Sequence, residues 1–140
     1  MVQIFSSELA VLGSLFAGYF LGALPLADQV SRRNGIDIFS TGTGLAGSSN
    51  VRKSVGRYLA LIVLLGDVGK GAIAVVVGRL MGLDGPWLMV PASAAVFGHW
   101  KSVFSRFRGG DGLVTFGGTL IALSPVFALI SIGVSSLVSF

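Results

Sequence analysis

Gly98-His99-Trp100-Lys101-Ser102-Val103-Phe104-Ser105-Arg106-Phe107-Arg108-Gly109-Gly110-Asp111-Gly112-Leu113-Val114-Thr115 is a polar island between two long apolar runs. It holds the single histidine of the chain, three cations and an acidic residue set among glycines. Unhindered glycine N–H groups and guanidinium forks can converge on one anion, so the segment suits phosphate. A basic loop joining two membrane helices has the same composition without any ligand. A second segment, 42–57, has the same chemistry and falls on the same side of the membrane, which favours the phosphate reading.

The surrounding chain fixes the class. Of 140 residues, 53% are hydrophobic and 11% charged, and the mean hydropathy is +0.86. A soluble domain carries about 25% charged residues. Read this way, residues 1–140 form one all-α domain, a polytopic integral membrane helix bundle. The 21 glycines point to close helix packing and glycine-lined turns. With no cysteine, disulfides and thiolate metal sites are excluded. The formal net charge of +4 suits an anionic membrane surface or an anionic substrate. The residues before Leu9 include Glu8 and neither Lys nor Arg, unlike a signal-peptide n-region.

Leu9–Leu26 is uncharged and long enough to cross, with Gly18 and Gly22 as a small-residue face and Pro25 to end or kink it. Tyr58–Leu80 is a second span, with Asp67 and Lys70 near its middle. Three residues apart, they share a helix face and can pair. Intramembrane charge is costly, so the pair is either functional or a structural tie between helices. Gly66, Gly69 and Gly71 allow another backbone to approach, or the helix to unwind locally. Leu83–Gly98 is a third, marginal run. Leu113–Phe140 is uncharged, and Ser124-Pro125 predicts a kink or a break into two segments, for about 4–5 spans in all.

Eight of the ten Lys and Arg lie in the loops 28–57 and 98–112. Two spans separate the loops, so both are expected in the cytoplasm, with the N-terminus outside and the protein in the cell membrane. Within the first loop, Gly35–Phe39 is expected to be extended. A helix is expected from Ser48 or Ser49, its positive end close to Gly42, Gly44 and Gly47.

Other motifs are weaker. Gly42-x-Gly44-x-x-Gly47 matches a dinucleotide fingerprint literally, but membrane spans flank it in place of a βαβ unit. Gly69-Lys70-Gly71 lacks the earlier glycine and the following hydroxyl of a P-loop. No Asp, Glu or second His stands at metal-ligand spacing from His99.

Three stretches, in order, resemble the signatures of the bacterial acyl-phosphate glycerol-3-phosphate acyltransferases, integral membrane enzymes of phospholipid synthesis. They are Gly42-Thr43-Gly44-Leu45-Ala46-Gly47-Ser48-Ser49-Asn50-Val51-Arg52, led in by Gly35-Ile36-Asp37-Ile38; Asp67-x-x-Lys70-Gly71; and Gly98-His99 with Phe107-Arg108-Gly109-Gly110-Asp111-Gly112-x-x-Thr115. The resemblance implies acyl transfer from acyl phosphate to glycerol 3-phosphate, with the acyl tail among the spans. It implies membrane lipids as neighbours, no nucleic acid, and neither metal nor nucleotide cofactor. It puts Arg52, Lys70 and Arg108 on phosphate charge. Hydrogen bonds would come from Thr43, Ser49, Asn50, Thr115 and the glycines Gly42, Gly44, Gly47, Gly109, Gly110 and Gly112. His99 would orient substrate or accept a proton, with Thr43 and Lys70 beside it as the catalytic group.

The chain departs from the family pattern at several points. Leu45 stands for an asparagine and Asp111 for a lysine, which reverses a charge expected in the substrate pocket. Lys101-Ser102 stands for Phe-Pro, an exchange expected to loosen the turn after His99. Family members also continue through further spans. Two alternatives therefore stay open: a binding protein for lipid precursors that has lost turnover, and a structural membrane subunit whose basic loops contact anionic lipid.

Overall fold

The structure is a computed structural model describing residues 2–126 and 129–130. Every regular element among the described residues is helical: α1 Val2–Ala23, α2 Leu26–Arg33, α3 Ser48–Ser54, α4 Arg57–Leu80, α5 Met89–Trp100 and α6 Leu113–Leu123, with 3₁₀ turns at Gly85–Leu88 and Val103–Ser105. The most extensively packed pairs are α1 with α5, α4 with α6 and α1 with α4, and α4 also meets α3 and α5.

Two stretches are long and apolar enough to cross a membrane: Ser7–Arg33, which is α1 continued through a break into α2, and α4. The third run is shorter than expected. The 3₁₀ turn at Gly85–Leu88 takes up its start and leaves α5 with 12 residues. The last run breaks at Ser124, as the Ser-Pro pair predicts, after the 11 residues of α6. Its end, 131–140, lies outside the described residues.

Packing is inverted relative to a soluble protein. Leu9, Phe16, Leu65, Ile73 and Leu80 are exposed, while Ser14, Asp67, Lys70, His99, Thr115 and Thr119 are buried. Water would drive the opposite arrangement, whereas hydrocarbon solvates the apolar outside and sends polar groups inward to one another. Glycine makes the contacts close. Gly18 and Gly22 of α1 lie on the backbone of Pro91 and Ala95 in α5, and Gly98 of α5 lies on Tyr19 and Ala23 in return. Gly71 of α4 sits on Thr115, and Gly118 of α6 on Val68, with no room for a Cβ at either. α4 itself is continuous and does not unwind at its glycines.

Three local features of the polar loops differ from expectation. Gly35–Phe39 is a run of turns, with no strand. The Asp37 carboxylate accepts the Phe39 N–H at 3.1 Å, and its carbonyl accepts from Ser40 and Thr41, which curls the chain over the buried Ile38. The stretch after Pro25 is helical because Asp28 lies in its first turn and Arg32 and Arg33 in its last, matching the helix dipole. Asp28 and Arg32 also pair at 2.6 Å. The turn after His99 is not loosened. Ser102 adopts φ −70, the value proline would impose, and its hydroxyl donates to the Ala23 carbonyl at 2.5 Å.

The reciprocal glycine contacts predict that Gly118→Ala costs about 1–3 kcal/mol, because the added methyl meets backbone. A methyl group at Gly69 would meet nothing within 4 Å, and Gly69→Ala is expected to be neutral or slightly stabilising. Thermal unfolding of both variants in detergent checks this, and equal melting temperatures would refute the packing account.

Candidate functional site

The break between α1 and α2 leaves carbonyls at the end of α1 without helical partners, and site residues come to them. Lys70 Nζ donates to the Leu24 carbonyl at 3.1 Å and pairs with Asp67 Oδ1 at 2.8 Å. The same carboxylate oxygen stands 3.6 Å from His99 Nδ1. All three side chains are buried. Lys70 thus neutralises a buried carboxylate and meets the negative end of α1 at once. Asp67 Oδ2 has no hydrogen-bond partner among the described residues, leaving an acceptor at a cleft.

His99 shapes the glycine turn. Its carbonyl accepts the Gly110 N–H at 3.2 Å, and Gly109 and Gly110 lie so close to its carbonyl and ring that neither tolerates a Cβ. These glycines serve close approach, and the Gly110 N–H is committed within the turn. Arg106 and Phe107 hold left-handed backbone, φ 55 and 59, unusual for such residues. The turn is fixed by the Phe107 N–H on the Ser102 carbonyl at 2.7 Å and by the Ser105 hydroxyl on Asp28 Oδ2 at 3.0 Å.

The first glycine loop docks onto this turn. The Ala46 N–H donates to the Gly109 carbonyl at 3.1 Å. The Arg108 guanidinium lies 4.1 Å from the Phe39 ring centroid and donates to the Phe39 carbonyl at 3.4 Å. Asn50 organises the loop. Its amide nitrogen stands 3.0 Å from the carbonyls of Ile38, Thr41 and Leu45, and its oxygen accepts from the Thr43 N–H and the Ser54 hydroxyl. These five hydrogen bonds of that side chain all lie within the loop and α3. Gly42 and Gly44 take φ 55 and 70 to close the loop around it.

Lys70, His99, Arg108 and Gly109 therefore share one cleft with Asp67, Ser102, Ser105 and the Ala23–Ala27 break. It has room for about one water molecule. Other expected site residues lie elsewhere. Thr43 is exposed, with its hydroxyl accepting weakly from the Leu45 N–H at 3.4 Å. Gly47 is the N-cap of α3 and Gly112 that of α6. Thr115 is buried against α4. Ser49 and Arg52 face a separate depression with Arg57 and Tyr58. Asp111 is exposed, its carboxylate accepting the Leu113 N–H at 3.1 Å at the start of α6. Among the described residues no three His, Asp or Glu side chains gather as metal ligands. Of the residues that hold the cleft together, Asp28 and Ser105 are not singled out as site residues by the sequence, and Ser102 is marked only as a departure from the family pattern. Their partners lie 77 to 79 residues away, and no local pattern marks them.

An inverted helical bundle whose two glycine loops pack over a buried Asp67–Lys70–His99 cluster defines a membrane-embedded protein. Residues 12–140 match the model of the glycerol-3-phosphate acyltransferase family, and the chain belongs to that family. It is 43% identical over 113 residues to a glycerol-3-phosphate acyltransferase of Rubrobacter xylanophilus, covering 80% of this chain and 56% of that protein. It is 44% identical over 120 residues to one of Thermus thermophilus, covering 86% and 60%. The crystal structure of PlsY (YgiH), an integral membrane glycerol 3-phosphate acyltransferase, in its glycerol 3-phosphate form superposes with a TM-score of 0.81 at 31% identity, covering 87% of this chain and 62% of that one. Its lysophosphatidic acid form gives 0.77. The chain thus spans about three fifths of the length of these relatives.

The shared carboxylate predicts that Asp67 and Lys70 behave as a unit. Lys70→Met strands a buried carboxylate and should cost about 3–5 kcal/mol. Asp67→Leu combined with Lys70→Met should recover most of that stability. Chemical unfolding of the three proteins in detergent measures the coupling, and additive losses would contradict it.

Proposed function

We propose that this protein transfers an acyl group from acyl phosphate to the 1-hydroxyl of glycerol 3-phosphate, releasing lysophosphatidate and inorganic phosphate. The observation that carries this reading is the convergence of three distant sequence signatures on one cleft, at Ala46, at Asp67 with Lys70, and at His99 with Arg108 and Gly109. Membership of the acyltransferase family supports it.

In this reading the substrate hydroxyl oxygen attacks the acyl carbon, and the bond from that carbon to the phosphate oxygen breaks. Acyl phosphate is already activated, so no acyl-enzyme is needed. The hydroxyl proton passes to a substrate phosphate. Lys70, held in place by Asp67 and the Leu24 carbonyl, and Arg108, stacked on Phe39, supply fixed positive charge for the phosphates. His99 orients the acceptor, and Asp67 Oδ2 takes a hydrogen bond from a substrate hydroxyl. The cleft holds about one water, so entry requires the Ala46–Gly109 and Arg108–Phe39 contacts to part. The alternative of a degraded enzyme draws on Leu45 as well as on Asp111. The Asp111 carboxylate accepts the Leu113 N–H and lies outside the cleft lining, which sets it apart from the cations Lys70 and Arg108.

We place the protein in the cell membrane as a multi-pass bundle of four to five spans, with both polar loops cytoplasmic and the N-terminus outside. Charge asymmetry supports this topology. Single cysteines at the exposed positions Lys53 and Asp111 should resist an impermeant thiol reagent in intact cells, while Glu8→Cys should react. Labelling of Lys53→Cys from outside would refute the topology.

Purified protein should form lysophosphatidate from radiolabelled acyl phosphate and glycerol 3-phosphate, and not from acyl-CoA. No product with either donor would refute the activity. Because Asp111 is exposed, Asp111→Lys should change KM by less than about twofold at physiological ionic strength. A large fall in KM would put Asp111 back at the substrate.

A further inference from the structure

Asp28 is a buried carboxyl side chain that the acyl-transfer chemistry leaves unused. It sits in the first turn of α2, and its two oxygens serve different partners. Oδ1 accepts from Arg32 Nε at 2.6 Å, and Oδ2 accepts from the hydroxyl of Ser105 at 3.0 Å, 77 residues away in the chain. The Arg32 side chain is 64% exposed, so water can stand in for Asp28 there. Ser105 is buried, away from that replacement.

Asp28 grips a turn that residues with side chains resist. Arg106 and Phe107 take φ 55 and 59 in succession, a region that a Cβ disfavours. Such backbone persists only where its surroundings over-determine it, and it gathers at functional sites. Here three residues of α1 and α2 act on the segment. Tyr19 donates its hydroxyl to the Lys101 carbonyl at 2.8 Å, the Ala23 carbonyl accepts from the Ser102 hydroxyl, and Asp28 accepts from Ser105. The carbonyl next to Ala23, that of Leu24, takes Lys70. The residue that follows the left-handed pair is Arg108. The break between α1 and α2 thus anchors both cations of the cleft, Lys70 directly and Arg108 through the turn.

We propose that Asp28 is a positioning residue: through the Ser105 hydroxyl it locks the 102–108 turn in its left-handed form and fixes where Arg108 stands relative to Lys70. Asp28 lies outside the cleft lining and acts only through Arg108. Its effect on rate rests on the acyl-transfer reading, and its effect on the turn rests on the fold alone.

Two measurements test it, one with turnover and one without. Ser105→Ala removes the strut and leaves the Asp28–Arg32 pair in place. It should lower kcat/KM for glycerol 3-phosphate by about tenfold, as a displaced charge does. In an Arg108→Gln background the same change should lower it by less than about twofold, because the strut then has no charge to position. Asp28→Asn keeps an oxygen for Ser105 and should retain most of the activity that Asp28→Ala loses. A merely structural strut lowers activity to the same degree with and without Arg108, and equal losses in the two backgrounds would overturn the proposal. The second measurement is trypsin digestion of the full chain in detergent, read by mass spectrometry. Arg106 and Arg108 are exposed, and Ser105→Ala should speed cleavage after them by about tenfold while cleavage after Lys53 stays unchanged. An unaltered cleavage rate at the turn would also overturn it. An inactive wild type would refute the acyl-transfer reading alone, since digestion still reports whether the strut holds the turn.

Discussion

An aspartate and a lysine three residues apart in the middle of a long apolar helix constrain everything around them. Two unpaired ions there would each be costly, so they pair, at 2.8 Å, and the pair must be shut away from lipid. α1 contributes a broken end whose Leu24 carbonyl takes one Lys70 proton in a hydrogen bond. α5 contributes His99 against the shared carboxylate oxygen. The break at Pro25 and the fold-back of the loop after α5 bring these polar partners to one point on α4. Such a pair adds little to stability over a well-packed apolar alternative. Its presence therefore argues for a role in the cleft it lines.

Glycine is the second requirement, because polar groups at the centre are useful only if backbones come close enough to meet them. The paired contacts of Gly71 with Thr115 and Gly118 with Val68 bring α4 and α6 together at backbone distance. Gly109 and Gly110 do the same for the turn that carries Arg108, pressing it onto His99. The glycines of the third signature thus act mainly as spacers of zero width, and the charge they position comes from side chains.

Much of this is legible in the sequence, for physical reasons that also mark where legibility ends. Apolar composition, the Pro25 and Ser124 breaks and the Asp67–Lys70 spacing are local properties, and each appears in the fold as read. The helix expected from Ser48 or Ser49 starts at Ser48, with Gly47 as its N-cap. Gly35–Phe39 misleads because alternating apolar residues imitate a strand, while the Asp37 turn that curls them depends on one carboxylate. Asn50 reads as a ligand because amides bind anions. Only the fold shows its nitrogen surrounded by three loop carbonyls. The struts from Ser102 to Ala23 and from Ser105 to Asp28 join residues nearly eighty positions apart, which no spacing rule reaches.

The two departures in the glycine loops show how position in a fold decides what a substitution means. Leu45 keeps its place in the first loop through backbone alone, its carbonyl accepting from Asn50 and its N–H reaching the Thr43 hydroxyl. A side chain that is 43% exposed there can change without opening the loop. Asp111 reverses a charge relative to the family pattern, but it does so just before α6, two residues ahead of Leu113. A carboxylate there accepts the Leu113 N–H and meets the positive end of the helix, neither of which a lysine can do. The exchange therefore gives the entry to α6 a hydrogen-bond acceptor. The cations that face the cleft, Lys70 and Arg108, are held by Asp67, Leu24 and Phe39 independently of it.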